Sequence, residues 1–158
     1  FMPESLDIVH YLDNNFGELM FTASQNPKIL EWINENHRTV NEYIMPRYAT
    51  MEFPEFATQS ARDEYISRHE KNYGSFKTLL EKSSDYKATI EESLQALNSE
   101  IDLDRVKAGQ YSLDDIIVFP LLRALSSAKD LVFPANVKEY MELLAEKGNV
   151  PLFYEQSC

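Results

Sequence analysis

The chain has 158 residues, 44% of them hydrophobic and 26% charged, enough apolar material for one buried core and ordinary for a soluble globular domain. Its 26 acidic and 15 basic side chains leave a net charge of −11, which opposes phosphate backbones and anionic lipid, so neither nucleic acid nor a membrane is expected as a partner. The single cysteine, Cys158, is the last residue, so the chain holds no intrachain disulfide, no Cys-x-x-Cys pair and no thiolate metal site.

No apolar run approaches the ~20 residues of a bilayer-spanning helix, and no secretory leader is visible. The chain opens Phe1-Met2-Pro3 and enters a helix at once, a start that predicts a missing preceding part. Residues 4–15 read as a short amphipathic helix, with Ser5, Ile8, Val9, Leu12 and Phe16 at helical spacing and Pro3 and Glu4 at its opening. Phe16-Gly17 ends it, and 17–25 reads as a linker.

Asn26 caps a second helix and Pro27 takes its first position. Its apolar stripe runs through Ile29, Leu30, Trp32, Ile33, Val40, Tyr43 and Ile44 to Pro46, beyond which Arg47, Tyr48 and Met51 extend the pattern after a kink. Phe53-Pro54-Glu55-Phe56 is a turn with two aromatics packed inward. A third helix is expected over about 59–82, with Tyr65, Ile66, Tyr73, Phe76, Leu79 and Leu80 on one side. A fourth is expected over about 85–101, with Tyr86, Ile90, Leu94, Leu97 and Ile101 repeating every three or four residues.

Residues 102–111, with Gly109, read as a loop leading to Ser112 and Asp115, three apart and just before an apolar run. That is a capping box, with Asp in the place Glu more often takes: Ser112 accepts from the Asp115 N–H and Asp115 from the Ser112 N–H. Tyr111 and Ile116 stand where a hydrophobic staple would form. From Ile116 to Leu125 only Arg123 is charged, so this helix is expected to be the buried centre of the fold, bent at Pro120. A last helix has Pro134 in its first turn, buries Val137, Tyr140, Met141 and Leu144, and stops at Gly148; the tail from Asn149 shows no pattern. No strand-like alternation or internal repeat is evident. The fold class is an all-α bundle around a central helix.

Motif chemistry is sparse. His10, His37 and His69 belong to no metal pattern; Asp7 and His10 lie three apart on one helix, but without a second ligand pair they read as a solvated face. No Glu-x-x-His pair, G-x-S-x-G or glycine-rich phosphate loop occurs. Glu91-Glu92 reads as helix surface and Asp114-Asp115 as part of the cap.

Only Pro3-Glu4-Ser5 reads as a ligand site. It opens a helix, where free N–H groups and the positive dipole end favour an anion. The Ser5 hydroxyl and an amide can hold a carboxylate while Glu4 accepts from an ammonium, the two charges of an amino-acid head group. The alternative is an ordinary helix start with acidic residues in its first turn.

Residues 2–13, Met-Pro-Glu-Ser-Leu-Asp-Ile-Val-His-Tyr-Leu-Asp, closely resemble the end of the glutathione-binding domain in the glutaredoxin 2 family, bacterial glutaredoxins built like glutathione transferases. Glu31-Trp32, Pro46-Arg47-Tyr48-Ala49, the Ser112–Asp115 box and Phe119-Pro120-Leu121-Leu122-Arg123 resemble that family's helical domain in the same order. The resemblance implies a glutathione-transferase-like helical domain over 26–158, a linker at 17–25, and in 1–16 the last helix of a missing thioredoxin-like domain. It implies reduction of glutathione mixed disulfides and protein disulfides with glutathione, in the cytoplasm, and gives Glu4 and Ser5 the γ-glutamyl end of glutathione. It implies no metal.

The chain departs from the family in lacking the catalytic Cys-Pro-Tyr-Cys and its facing proline loop, so alone it is expected to be inactive, because exchange requires a thiolate. Two other readings remain: a stand-alone helical interaction module with an acidic surface for a basic partner, and a piece of a transferase that conjugates glutathione to electrophiles. Without the sheet that the first helix would cover, Leu6, Ile8, Val9 and Leu12 are expected to form an exposed apolar patch.

Overall fold

The computed structural model describes residues 4–156; the expectations for Met2, Pro3 and Cys158 lie outside them. Among the described residues there are eight α-helices and no strands: α1 (Ser5–Asn15), α2 (Pro27–Tyr48), α3 (Gln59–Tyr73), α4 (Phe76–Glu81), α5 (Ser83–Glu100), α6 (Leu103–Lys107), α7 (Leu113–Leu125) and α8 (Ala135–Gly148). Short 3-10 turns stand at Pro54–Phe56 and Tyr154–Gln156. No helix among these residues is long and apolar enough to cross a membrane.

Local chemistry explains most boundaries. Asn26 accepts from the Lys28 N–H at 3.0 Å, so α2 begins at Pro27, and the helix runs through Pro46 to Tyr48 without interruption. The single helix expected over 59–82 is two. It breaks at Gly74, whose φ of +92° and ψ of 175° lie in territory that side chains other than glycine's avoid, and α4 begins at Phe76. The break turns Phe76 and Leu79 into the core and leaves Leu80 exposed, contrary to the single-stripe expectation. The expected loop before Ser112 contains α6, capped by Asp102 accepting from the Arg105 N–H at 3.0 Å. At the end of α8, Asn149 rather than Gly148 takes the left-handed conformation (φ 49°, ψ 44°) that closes the helix.

The core forms where α2, α5, α7 and α8 meet, around Val40, Ile44, Ile90, Leu94, Leu97, Val118, Leu122, Val137 and Met141, all nearly or fully buried. Alpha-7 packs against α2 and α8. Although its side chains are apolar all round, it is not enclosed all round. Val118, Leu122 and Leu125 are buried, Ile116, Phe119 and Leu121 half-buried, and Pro120 exposed. Tyr111 and Ile116, the expected staple pair, line one apolar recess together with Phe119 and Pro120.

A second, smaller core holds Ala49, Phe76 and Leu79, beside Tyr65 and Tyr73. The tail that showed no pattern is pinned: the Phe153 N–H donates to buried Ser126 Oγ at 2.8 Å, and the Arg123 Nε donates to the Pro151 carbonyl at 2.9 Å. The Arg123 guanidinium also lies 4.0 Å from the Phe153 ring centroid.

Candidate functional site

Alpha-1 carries the residues that composition and position single out for a ligand. Glu4 is its N-cap in extended conformation (φ −95°, ψ 136°) and makes no side-chain cap bond. Ser5 is its first helical residue, and both side chains are exposed. The N–H groups of the first turn therefore face outward with the positive end of the helix dipole behind them. The structure thus places Glu4 and Ser5 side by side on an open helix start, an acceptor beside a hydroxyl and bare amides. That arrangement can receive a molecule bearing both a carboxylate and an ammonium. Asp7 and His10 are also exposed, and the described residues contain no group of three or more His, Cys, Asp or Glu able to hold a metal ion.

Alpha-1 buries none of its residues. Leu6, Ile8, Tyr11, Leu12 and Phe16 are exposed and Val9 is half-buried, so the expected apolar patch is present and extends to Leu19 and Met20 in the linker. What fixes the helix is polar. The Asp13 carboxylate accepts from the Met20 N–H at 2.7 Å and the Phe21 N–H at 3.3 Å, folding the linker back on α1. The Ala23 N–H then donates to the Tyr111 carbonyl at 3.0 Å. Asp114 completes the tie: its Oδ2 accepts from the Asn26 N–H at 2.6 Å and its Oδ1 from Gln25 Nε2 at 3.1 Å. The linker is therefore fastened at both ends, to α1 through Asp13 and to α7 through Asp114.

The Ser112–Asp115 capping box that the sequence predicts is present, closed from both sides. The Ser112 N–H donates to Asp115 Oδ2 at 2.8 Å. The Asp115 N–H is shared between the buried Ser112 side chain and the Ser112 carbonyl, the latter at 3.1 Å.

Asp115 also does more than cap. Arg105 grips it bidentately, Nη1 to Oδ2 at 2.9 Å and Nη2 to Oδ1 at 2.8 Å, and the Tyr140 hydroxyl donates to Oδ1 at 2.6 Å. The carboxylate bond raises the Arg105 guanidinium's affinity for its proton. Burial first, and the Asp115 charge second, push the Tyr140 hydroxyl far above its ordinary range. Both groups keep their protons, and their bonds to Asp115 join α6, α7 and α8.

Sequence reading missed Asp13, Asp114, Arg105 and Tyr140. Asp114 and Asp115, adjacent at the second and third positions of a helix, were the one available signal: two carboxylates there cannot both serve one cap.

The sequence model described as "Glutaredoxin 2, C terminal domain" matches residues 28–157. The chain is 35% identical over 152 residues to Glutaredoxin 2 of Escherichia coli strain K12, covering 96% of this chain and 71% of that protein. The same figures hold for Glutaredoxin 2 of Escherichia coli O157:H7. A crystal structure of Glutaredoxin 2 from Salmonella typhimurium in complex with glutathione matches with a TM-score of 0.92 at 35% identity, covering 99% of this chain and 72% of that one.

Proposed function

The chain belongs to the glutaredoxin 2 family, and from that membership we propose that it is the helical C-terminal portion of a glutathione-dependent thiol–disulfide oxidoreductase. In this reading residues 26–158 form the helical domain, 17–25 the linker, and 1–16 the last helix of a thioredoxin-like domain that supplies the catalytic cysteines. The observation that carries it is the extent of the match to a glutathione-bound relative, 99% of this chain and hence α1 with it.

The physical features of α1 support the same reading. Its start offers amides, a hydroxyl and a carboxylate in the arrangement that the γ-glutamyl end of glutathione needs, with Ser5 and the amides on the carboxylate and Glu4 on the ammonium. Its apolar side lies open, as expected of a helix whose sheet is elsewhere. Asp13 of α1 holds the start of the linker, and Asp114 of α7 holds its far end beside α2. The chain itself contributes no redox pair, because its one cysteine has no resolving partner. Protein disulfides and glutathione mixed disulfides are the substrates of the intact protein, and its compartment is the reducing cytoplasm.

Two experiments test this. Reading the gene upstream of Phe1 should find a Cys-x-x-Cys after a first strand. A serine or tyrosine in that place would favour a conjugating transferase, and no such domain would favour an interaction module. Titrating the isotope-labelled chain with reduced glutathione should shift the amides of residues 5–8, and Ser5→Ala with Glu4→Gln should remove the shifts. Unmoved amides at tens of millimolar glutathione, on the order of ten-thousandfold above a micromolar site, would sink the assignment of Glu4 and Ser5.

A further inference from the structure

Alpha-3 is attached to the fold in a different way from the helices of the main core. None of its residues is buried, and among the described residues none of them belongs to the main core or packs against it. Its sequence explains this. Between Gln59 and Tyr73 only Ala61, Tyr65, Ile66 and Tyr73 are apolar, too thin a stripe to bury a helix face. Tyr65, Ile66 and Tyr73 lie against the small second core of Ala49, Phe76 and Leu79. The chain on either side is fastened by contacts that do not involve α3. Before it, the Phe53 ring meets those of Tyr48 at 5.2 Å and Phe153 at 5.3 Å, both edge-on. After it, α4 packs against α2. The joints are Ala57-Thr58 at one end and Gly74-Ser75, with the positive φ of Gly74, at the other.

Polar side chains hold α3 down. Arg62 donates to the Ala49 carbonyl and, at 3.2 Å, to that of Met51. The Tyr65 hydroxyl donates to the Met45 carbonyl at 3.3 Å, and Asn41 donates to the Tyr73 hydroxyl at 3.1 Å. Glu70 accepts from the Phe76 N–H at 2.8 Å. Lifting the helix exchanges these bonds for bonds to water, so each contributes little net. Parting α2 from α5 would instead expose Ile44, Ile90 and Leu94, which are at most 1% exposed, and that cost grows with the apolar area. Opening α3 is therefore much the cheaper of the two motions. We propose that α3 is a hinged flap: residues 57–75 lift as one unit about Ala57 and Gly74 while α2, α5, α7 and α8 stay packed. The open state bares Met45, Phe76 and Leu79, beside Leu80, which is already 45% exposed on the same short helix. The device is independent of the glutathione reading at α1.

Native-state hydrogen exchange of the whole chain, followed amide by amide as urea is added, tests this. The amides of residues 63–73 should share one opening, with protection about a hundredfold or more below that of α2 and α5. That opening should depend only weakly on urea, because it exposes little surface. Protection and urea slopes equal to those of α2 and α5 would overturn the proposal. So would a graded loss of protection from the ends of α3 inward, which is fraying and not a flap. Arg62→Gln gives a second readout. Loss of the charged bonds should speed exchange throughout α3 by about tenfold to a hundredfold and leave α5 and α7 unchanged. A parallel rise in α5 and α7 would show that α3 opens only with the core, and would also overturn it.

Discussion

The Tyr140 hydroxyl donates to Asp115 Oδ1 across 2.6 Å, and it fastens the middle of α8 to the first turn of α7. Both residues are almost wholly buried, Tyr140 at 1% exposure and Asp115 at 4%. Arg105 brings α6 to the same carboxylate with two further bonds. One side chain thus closes a cap and joins three helices, so its removal should cost far more than a lost cap of about 1 kcal/mol. Asp115→Ala leaves the Arg105 charge and the Tyr140 hydroxyl unpaired in the interior. The expected loss is about 3–5 kcal/mol in urea-induced unfolding. Tyr140→Phe, which removes one bond to a charged group, should lose about 1.5–3 kcal/mol. A loss near 1 kcal/mol for Asp115→Ala would mean that the box is all the residue does.

Gly74 separates α3 from α4 with a φ of +92° and no neighbouring atom within 4 Å of an added Cβ. Space is therefore irrelevant there and backbone conformation is everything. Gly74→Ala should destabilise by about 1–3 kcal/mol, with no change in the native spectrum. Equal stability of the two proteins in chemical unfolding would show that the break tolerates a side chain.

This break marks where sequence reading stopped being sufficient. Periodicity located α1, α2, α5 and α8, because each carries an apolar stripe several turns long, and the capping box before an apolar run located α7. Tyr65 through Leu80 keep that period across Gly74, so the stripe concealed the turn, and only the glycine itself announced it. Alpha-6 is too short to show a period, and its cap, Asp102, was the only sign. The Glu4–Ser5 pair was legible because helix starts have a local chemistry. Its supports were not. Asp13 and Asp114 act on backbone N–H groups seven and 88 residues away, and no spacing rule connects such partners.

The open apolar side of α1 should show in solution. Leu12 and Phe16 are 49% and 66% exposed on the same element as Leu6 and Ile8. The chain is expected to self-associate as its concentration rises, and the paired change Leu12→Glu and Phe16→Ser should return it to a monomer. A monomeric mass by light scattering at all concentrations, for the unmodified chain, would refute this.

Acid should weaken the fold in two separate steps, and the signs follow from the shifts. The His69 ring lies 4.3 Å from that of Tyr65 and 6.2 Å from that of Tyr73, with its Nδ1 buried and unpartnered. Burial, and then the neighbouring Arg68 charge, hold its pKa below the ordinary 6.5. The unfolded chain therefore takes up the proton first. Above pH 6.5 both states are neutral and stability is flat; as the pH falls through that value the unfolded state gains and stability drops. Glu100 behaves differently. Its bonds from Lys28 and Asn26 hold the carboxyl below 4.5, so its contribution persists above 4.5 and is lost only as the pH falls through the folded value. His69→Phe keeps a ring between the tyrosines and removes the proton. It should abolish the slope of stability just below pH 6.5 while leaving the steeper fall below 4.5 in place. If urea midpoints of the variant and the parent chain decline in parallel from about pH 7.5 to 5.5, about one unit either side of His69's ordinary value, the half-buried ring is not what the acid finds.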